Sequence, residues 1–180
     1  MRDSTAQPLP YASANYFKHT HPSRLFRALV ARFNAKLLQL ADAAAPGSVL
    51  DAGCGEGFVL QFLSARRPGW RLIGCDLDTD AVAYAHRRCT DSVPLYVADI
   101  RRLPLPSRSF DLVLCSEVLE HLEDPYAALA ELRRVTRGHV LVTVPHEPFF
   151  RALARLVVWL GLGPDPKHRQ FWTAVSFRRL

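Results

Sequence analysis

Two short stretches hold most of the side chains able to do chemistry. In DAGCGEG, residues 51–57, three glycines follow a carboxylate at alternate positions, Gly53, Gly55 and Gly57. Glycine has no Cβ, so backbone at such a turn can approach a ligand closely. Asp51 closes the apolar run before the turn, Asp76 closes the next run in LIGCD, and Asp99 closes a third in YVAD. A carboxylate at the second of these places can accept both hydroxyls of a ribose. The second stretch is SEVLEHLED, residues 116–124. Here Glu117, Glu120 and His121 have the i, i+3, i+4 spacing that places three side chains on one face of a helical turn. Glu117 would then orient near a bound cofactor and His121 would act as a general base. His146, just after the last apolar run, is a further candidate for acid–base work.

These residues need a scaffold that brings strand ends together, and the hydrophobic pattern supplies one. A helix-spaced segment from Leu25 to about Ala45 is bracketed by Ser23 as a cap and Pro46-Gly47 as a stop. Strand-like and helix-like stretches then alternate: SVLDAG, EGFVLQFLSARR, WRLIGCD, DAVAYAHRRC, VPLYVAD, FDLVLCS, a helix capped by Asp124 with Pro125 in its first turn, and HVLVTVP. Continuous apolar strands separated by helices predict a parallel sheet covered on both faces, a doubly wound α/β fold. Ligands of such sheets sit beyond the carboxyl ends of the strands, where the glycine turn and the three aspartates would converge.

The ligand is either a dinucleotide or S-adenosylmethionine (SAM). Asp51, Glu56, Asp76 and Asp99 surround a turn without lysine or arginine, a poor setting for a pyrophosphate and a good one for a sulfonium and an ammonium group. The excess of 23 basic over 17 acidic residues is spread in pairs such as Arg66-Arg67 and Arg133-Arg134, so charge gives little support for nucleic acid as a partner. No stretch approaches the roughly 20 apolar residues of a membrane span, and the N-terminus lacks the apolar centre of a secretory signal, so the expected location is the cytoplasm. The four cysteines show no CxxC pairing and are expected as buried thiols.

Four stretches in order, VLDAGCGEG, GCDLD, VADIRRLPLPSRSFDLVLCSEVLEHLEDP and VLVTVPHEP, resemble the successive motifs of class I SAM-dependent methyltransferases of the type 11 kind. The resemblance covers roughly residues 47–148 and implies a Rossmann-like sheet of strand order 3-2-1-4-5. By matching position it implies that Asp51, Gly53 and Gly55 border the methionine part of SAM and that Asp76 binds the ribose. Leu77 would pack on the adenine, Asp99 and Ile100 would contact its ring and amino group, and Ser116 and Glu117 would close the methionine side. The ExxEH arrangement is similar to that of ubiquinone-pathway O-methyltransferases and small-RNA 2′-O-methyltransferases. That likeness implies Mg²⁺ on Glu117, Glu120 and His121, with His168 from HRQFWTAVSF as a fourth ligand and His146 in reserve.

The expected activity is therefore methyl transfer to oxygen or nitrogen of a small-molecule or lipid-like acceptor. A ribose hydroxyl of RNA, a SAM-binding scaffold without turnover, and a nicotinamide-dependent oxidoreductase are the alternatives. Residues 1–45 are expected as a helical segment covering the site, 46–148 as the SAM-binding core, and 149–180 as a lid. The segment FFRALARLVVWLGLG would cover the acceptor pocket or touch a membrane surface. The usual last two strands of the seven-stranded family sheet are expected to be missing, so either the chain is truncated or the strand at 139–144 is an edge covered by the C-terminal segment or by a second copy of the chain.

Overall fold

A computed structural model describes residues 13–89, 92–145 and 168–177. A short helix α1 (Ala14–Thr20) and a long helix α2 (Arg24–Ala43) precede an alternating series. It runs β1 (Ser48–Ala52), α3 (Phe58–Arg66), β2 (Arg71–Asp76), α4 (Thr79–Arg88), β3 (Leu95–Val97), β4 (Phe110–Ser116), a 3₁₀ turn (Leu119–His121), α5 (Pro125–Val135) and β5 (Thr136–Thr143). A single turn of helix, α6 (Ala174–Phe177), follows. The strands form one sheet in the order β3-β2-β1-β4-β5, every pair parallel, as the sequence pattern and the resemblance predict.

Side chains alternate across the sheet with period two, so each face receives its own core. Val49, Leu72, Leu112 and Leu114 pack under α2, α3 and α4 with Leu37, Leu60, Leu63 and Ala85. Leu50, Ala52, Val113 and Cys115 pack on the other face against Ala128, Leu132 and Val135 of α5. β1 is buried at all five positions, which is why its stretch is apolar up to Asp51. All four cysteines are buried free thiols.

The strand ends opposite the site are tied by one carboxylate. Asp111 Oδ2 accepts from the Gly47 and Ser48 amides and from Ser48 Oγ, while its Oδ1 accepts from Arg137 Nε at 2.7 Å. The Arg137 and Ser48 bonds hold its carboxyl well below the usual range. At the same end, Arg134 in the last turn of α5 ties the loop after β3 to that helix, donating to the carbonyls of Leu103 and Leu105 and to Glu131.

Three details differ from the sequence reading. Ser23 occupies the cap position of α2 but its side chain makes no capping bond. β5 begins at Thr136, directly on the end of α5, because Thr136 already pairs with Phe110 across a register irregularity. The helical segment expected over residues 1–45 is divided between Thr20 and Arg24, since the seven residues of α1 hold too few periods to reveal it as a helix of its own. Asp124 does cap α5, accepting from the amides of Tyr126 and Ala127, with Pro125 at its start.

Candidate functional site

The glycine turn adopts the conformation that its composition allows. Gly53, Gly55 and Gly57 all have left-handed φ, at 85°, 52° and 77°. A Cβ on Gly53 would press into the side chain of Val118, so this position is closed to any larger residue by space as well as by φ. The amides of Gly53 and Cys54 both donate to the carbonyl of Cys75, at 2.8 and 2.9 Å, which locks the turn to the end of β2. Asp76 completes the lock. Its Oδ2 accepts from the Gly55 amide at 2.8 Å and its Oδ1 from the Asp78 amide at 2.9 Å.

Two acidic groups lie behind the turn, and one of them is not fully satisfied. Asp51 is 1% exposed and its Oδ2 has no hydrogen-bond partner among the described residues. Burial, and then the neighbouring Asp76, pushes its pKa up to about 7. Asp76 is itself raised, burial again leading. A buried, unpartnered carboxyl beside a second one is costly unless a cation answers it, and the positive groups of SAM have that character. The residues present therefore fit the expected cofactor.

The remaining expected cofactor residues take different positions. Leu77 is 63% exposed just beyond β2, available to pack on a flat ring, whereas Ile100 is buried in the core with Leu103 and Phe110. Asp99 is gripped by Arg101, Nη2 to Oδ2 at 2.7 Å, which holds its carboxyl below the ordinary value. Ser116 Oγ and Thr143 Oγ1 lie 2.9 Å apart, and Thr143 Oγ1 also donates to Glu117 Oε1 at 3.4 Å.

The acid–histidine stretch is not the regular helical turn that its spacing predicts. Glu117 has a left-handed φ of 58°, and Leu119–His121 form a 3₁₀ turn. These break the α-helical geometry, so Glu117 does not join the cluster of potential metal ligands found among the described residues. That cluster consists of Glu120, His121 and His168, with one ligand atom from each lying within 4.8 Å of the others. His168 arrives because the amides of Arg169 and Gln170 donate to the Glu120 carbonyl, at 2.7 and 2.9 Å. Glu120 is 1% exposed, and neither of its carboxyl oxygens has a partner among the described residues. Burial, and then Glu117, pushes its pKa up to about 8. His146 and the 149–161 segment lie outside the described residues.

Sequence reasoning expected residues 1–45 over the site but missed how α1 meets the glycine turn. Ser13 Oγ and Asn15 Nδ2 donate to the two carboxyl oxygens of Glu56, the buried residue between Gly55 and Gly57. The serine that caps α1 in SANYFKHT was the one signal available for it.

A sequence profile described as "Methyltransferase domain" matches residues 50–144, which contain the whole glycine turn, all three strand-end aspartates and the acid–histidine stretch. The chain belongs to the class I SAM-dependent methyltransferases. Among curated relatives of this methyltransferase chain, a "Probable S-adenosylmethionine-dependent methyltransferase" of Mycobacterium tuberculosis is 36% identical over 106 residues, covering 59% of this chain and 38% of the relative. A "Malonyl-[acyl-carrier protein] O-methyltransferase" of Hamiltonella defensa is 30% identical over 138 residues, covering 76% and 52% respectively. The chain thus spans between about a third and a half of the length of such relatives. The fold is shared with the plantazolicin methyltransferase BpumL, solved with S-adenosylhomocysteine (SAH), at a TM-score of 0.68, 20% identity and coverage of 92% of this chain and 65% of that one. The YcgJ protein of Bacillus subtilis superposes with a TM-score of 0.64 at 25% identity, covering 81% and 64%.

Proposed function

We propose that this protein transfers a methyl group from SAM to an oxygen or nitrogen of a small-molecule or lipid-like acceptor. The observation that carries this reading is the left-handed glycine turn locked by Asp76 beside the buried, unpartnered carboxyl of Asp51. Bound SAM would supply a methyl carbon on a cationic sulfur, open to in-line attack by the acceptor. The residues of the chain would bind and orient. Asp76 would turn from the Gly55 amide toward the ribose, Leu77 would face the adenine, and Asp51 would balance the positive end of the cofactor. Orientation of this kind supplies about 7–11 kcal/mol in favourable cases, so a dedicated base matters only when the acceptor carries a proton to be removed. His121 is the candidate for that proton.

The Hamiltonella relative is named for methyl transfer to malonyl-[acyl-carrier protein]. A carboxylate on a carried acyl chain is a lipid-like oxygen acceptor that needs no base, and it leads the list for assay. Titrating SAM and NAD⁺ into the wild type and Asp76→Ala should give SAM binding that falls at least about tenfold in the variant, and no NAD⁺ binding. Equal SAM affinity in the two proteins would overturn the site assignment. SAH release should follow with an acyl-carrier, small-molecule or RNA acceptor, and tight SAM binding with no release on any of them would make the protein a scaffold.

A second reading rests on the grouping of Glu120, His121 and His168. Two imidazoles and one carboxylate suit Zn²⁺ or Mn²⁺ better than Mg²⁺, which prefers a shell of oxygens, and Glu117 stands outside the group. A bound ion there would be held by these three residues and would lower the pKa of an acceptor hydroxyl. Calorimetry should show Zn²⁺ or Mn²⁺ heats in the wild type that vanish in His168→Ala, with negligible Mg²⁺ heat. Identical heats in the two proteins would remove the metal.

A further inference from the structure

Glu56 has no part in the reading above, yet it is among the most fully buried charged residues of the chain, at 1% exposure. Its two oxygens accept from Ser13 Oγ and Asn15 Nδ2, more than forty residues away, so the contact joins the glycine turn to α1. Ser13 is also the N-cap of α1, its Oγ accepting from the Tyr16 amide at 2.9 Å. One hydroxyl therefore both starts the helix and docks it. Asn15 Nδ2 lies 3.1 Å from where a Cβ on Gly55 would stand, which places α1 on the bare face of the turn.

The rest of α1 continues across the same end of the sheet. Tyr16 meets Tyr84 of α4 edge-on with ring centroids 5.5 Å apart. His19 stacks on Phe58, the first residue of α3, at 4.2 Å and 10°, while the Arg88 guanidinium lies 3.8 Å from the centroid of the same ring. Two groups that close to one ring must lie on opposite faces, so Phe58 is sandwiched between α1 and α4. Lys18 opposes the charges of Glu117 and Glu120 beyond β4. α1 thus reaches from the glycine turn toward the acid–histidine stretch, over the ends of β1 and β4.

A seven-residue helix does not persist alone in water, so α1 exists because it is docked. Lifting it would let water solvate the Glu56 carboxylate, which offsets part of the lost hydrogen bonding and makes the contact reversible. We propose that Glu56 is a positioning residue that seats α1 as a strap across the cofactor cleft, and that the strap must lift to admit SAM and release SAH. The proposal rests on the reading that the glycine turn binds SAM.

Trypsin cleavage after Lys18, in the middle of α1, reports the strap, and calorimetry with SAH reports the cleft. In the wild type SAH should slow that cleavage at least about fivefold, because slow exchange follows when a ligand binds only the closed form. Glu56→Ala should be cut about tenfold faster without ligand and should bind SAH about tenfold more weakly, with Glu56→Gln, which keeps one acceptor oxygen and sets an NH2 donor where the other stood, in between. The pair Ser13→Ala with Asn15→Ala removes the donors without touching the turn, and should reproduce Glu56→Ala even if that variant folds poorly. Wild-type cleavage rates and SAH affinities in the Ser13/Asn15 pair would overturn the strap. Absence of SAH binding by the folded wild type would instead overturn the cofactor reading.

Discussion

Asp51 shows at a single residue how binding and stability oppose one another. Its carboxyl is buried, lacks a partner for one oxygen and sits beside Asp76, so the folded protein favours its neutral form up to about pH 7. The unfolded chain ionises the same group near the ordinary aspartate value of about 4. The folded-state pKa is thus raised, so the folded state holds the extra proton between those values. The stability that Asp51 allows is complete below about pH 4, falls as pH rises toward 7, and is not regained above it. Asp51→Asn should therefore be more stable than wild type by about 4 kcal/mol at pH 8 and no more stable near pH 4, as read by denaturant unfolding of the ligand-free protein. A gain that is equal at both pH values would mean that Asp51 is ionised throughout. The same variant should weaken SAM more than SAH, because only SAM carries the sulfonium charge that the carboxylate would answer. Equal losses for the two ligands would place Asp51 away from the sulfur.

At the scale of elements, β5 depends on a glycine that no chemical motif marks. A Cβ on Gly138 would fall on the backbone carbonyl oxygen of Asp111, where the β4 and β5 registers shift between Phe110 and Leu112. Backbone at a paired strand cannot retreat as a flexible side chain can, so Gly138→Ala should cost about 2–3 kcal/mol. Gly69→Ala, where an added methyl meets nothing, is the control, and equal melting temperatures for the two variants would refute the argument. Strands and long helices were legible because burial writes itself into periodic apolar residues, and the carboxylates at strand ends were legible because a parallel sheet gathers those ends. The bulge at Gly138 was not, since one glycine in TRGHVLVT looks the same with or without a carbonyl against it. Nor was the 3₁₀ turn at Leu119–His121, because the spacing of Glu117, Glu120 and His121 assumes an α-helix and carries no record of the left-handed φ that separates Glu117 from the other two.

Across the whole molecule, the segment at 168–177 joins the far end of the described chain to both the core and the acid–histidine stretch. Trp172 is 8% exposed and belongs to the cluster built on Leu50, Val113, Cys115 and Leu132. Phe177 packs on its ring with centroids 6.0 Å apart. A few residues earlier, the Arg169 and Gln170 amides hold the Glu120 carbonyl, and His168 meets His121 with ring centroids 5.0 Å apart. The indole therefore anchors the segment, and the hydrogen bonds to Glu120 set where His168 arrives. Replacing a buried tryptophan by alanine typically costs about 3–5 kcal/mol. With about 2–4 °C lost per kcal/mol in a chain of this size, Trp172→Ala should melt roughly 6–20 °C lower. Its consequence for the site is separable from its cost. If the segment is held mainly by Trp172, the variant should also lose the contact between His168 and His121, seen as imidazole resonances that shift toward those of a solvated histidine at temperatures well below melting. A lowered melting point with both histidine signals unmoved would mean that the Glu120 carbonyl alone suffices to seat His168. An unchanged melting point would show that the indole contributes nothing to this core.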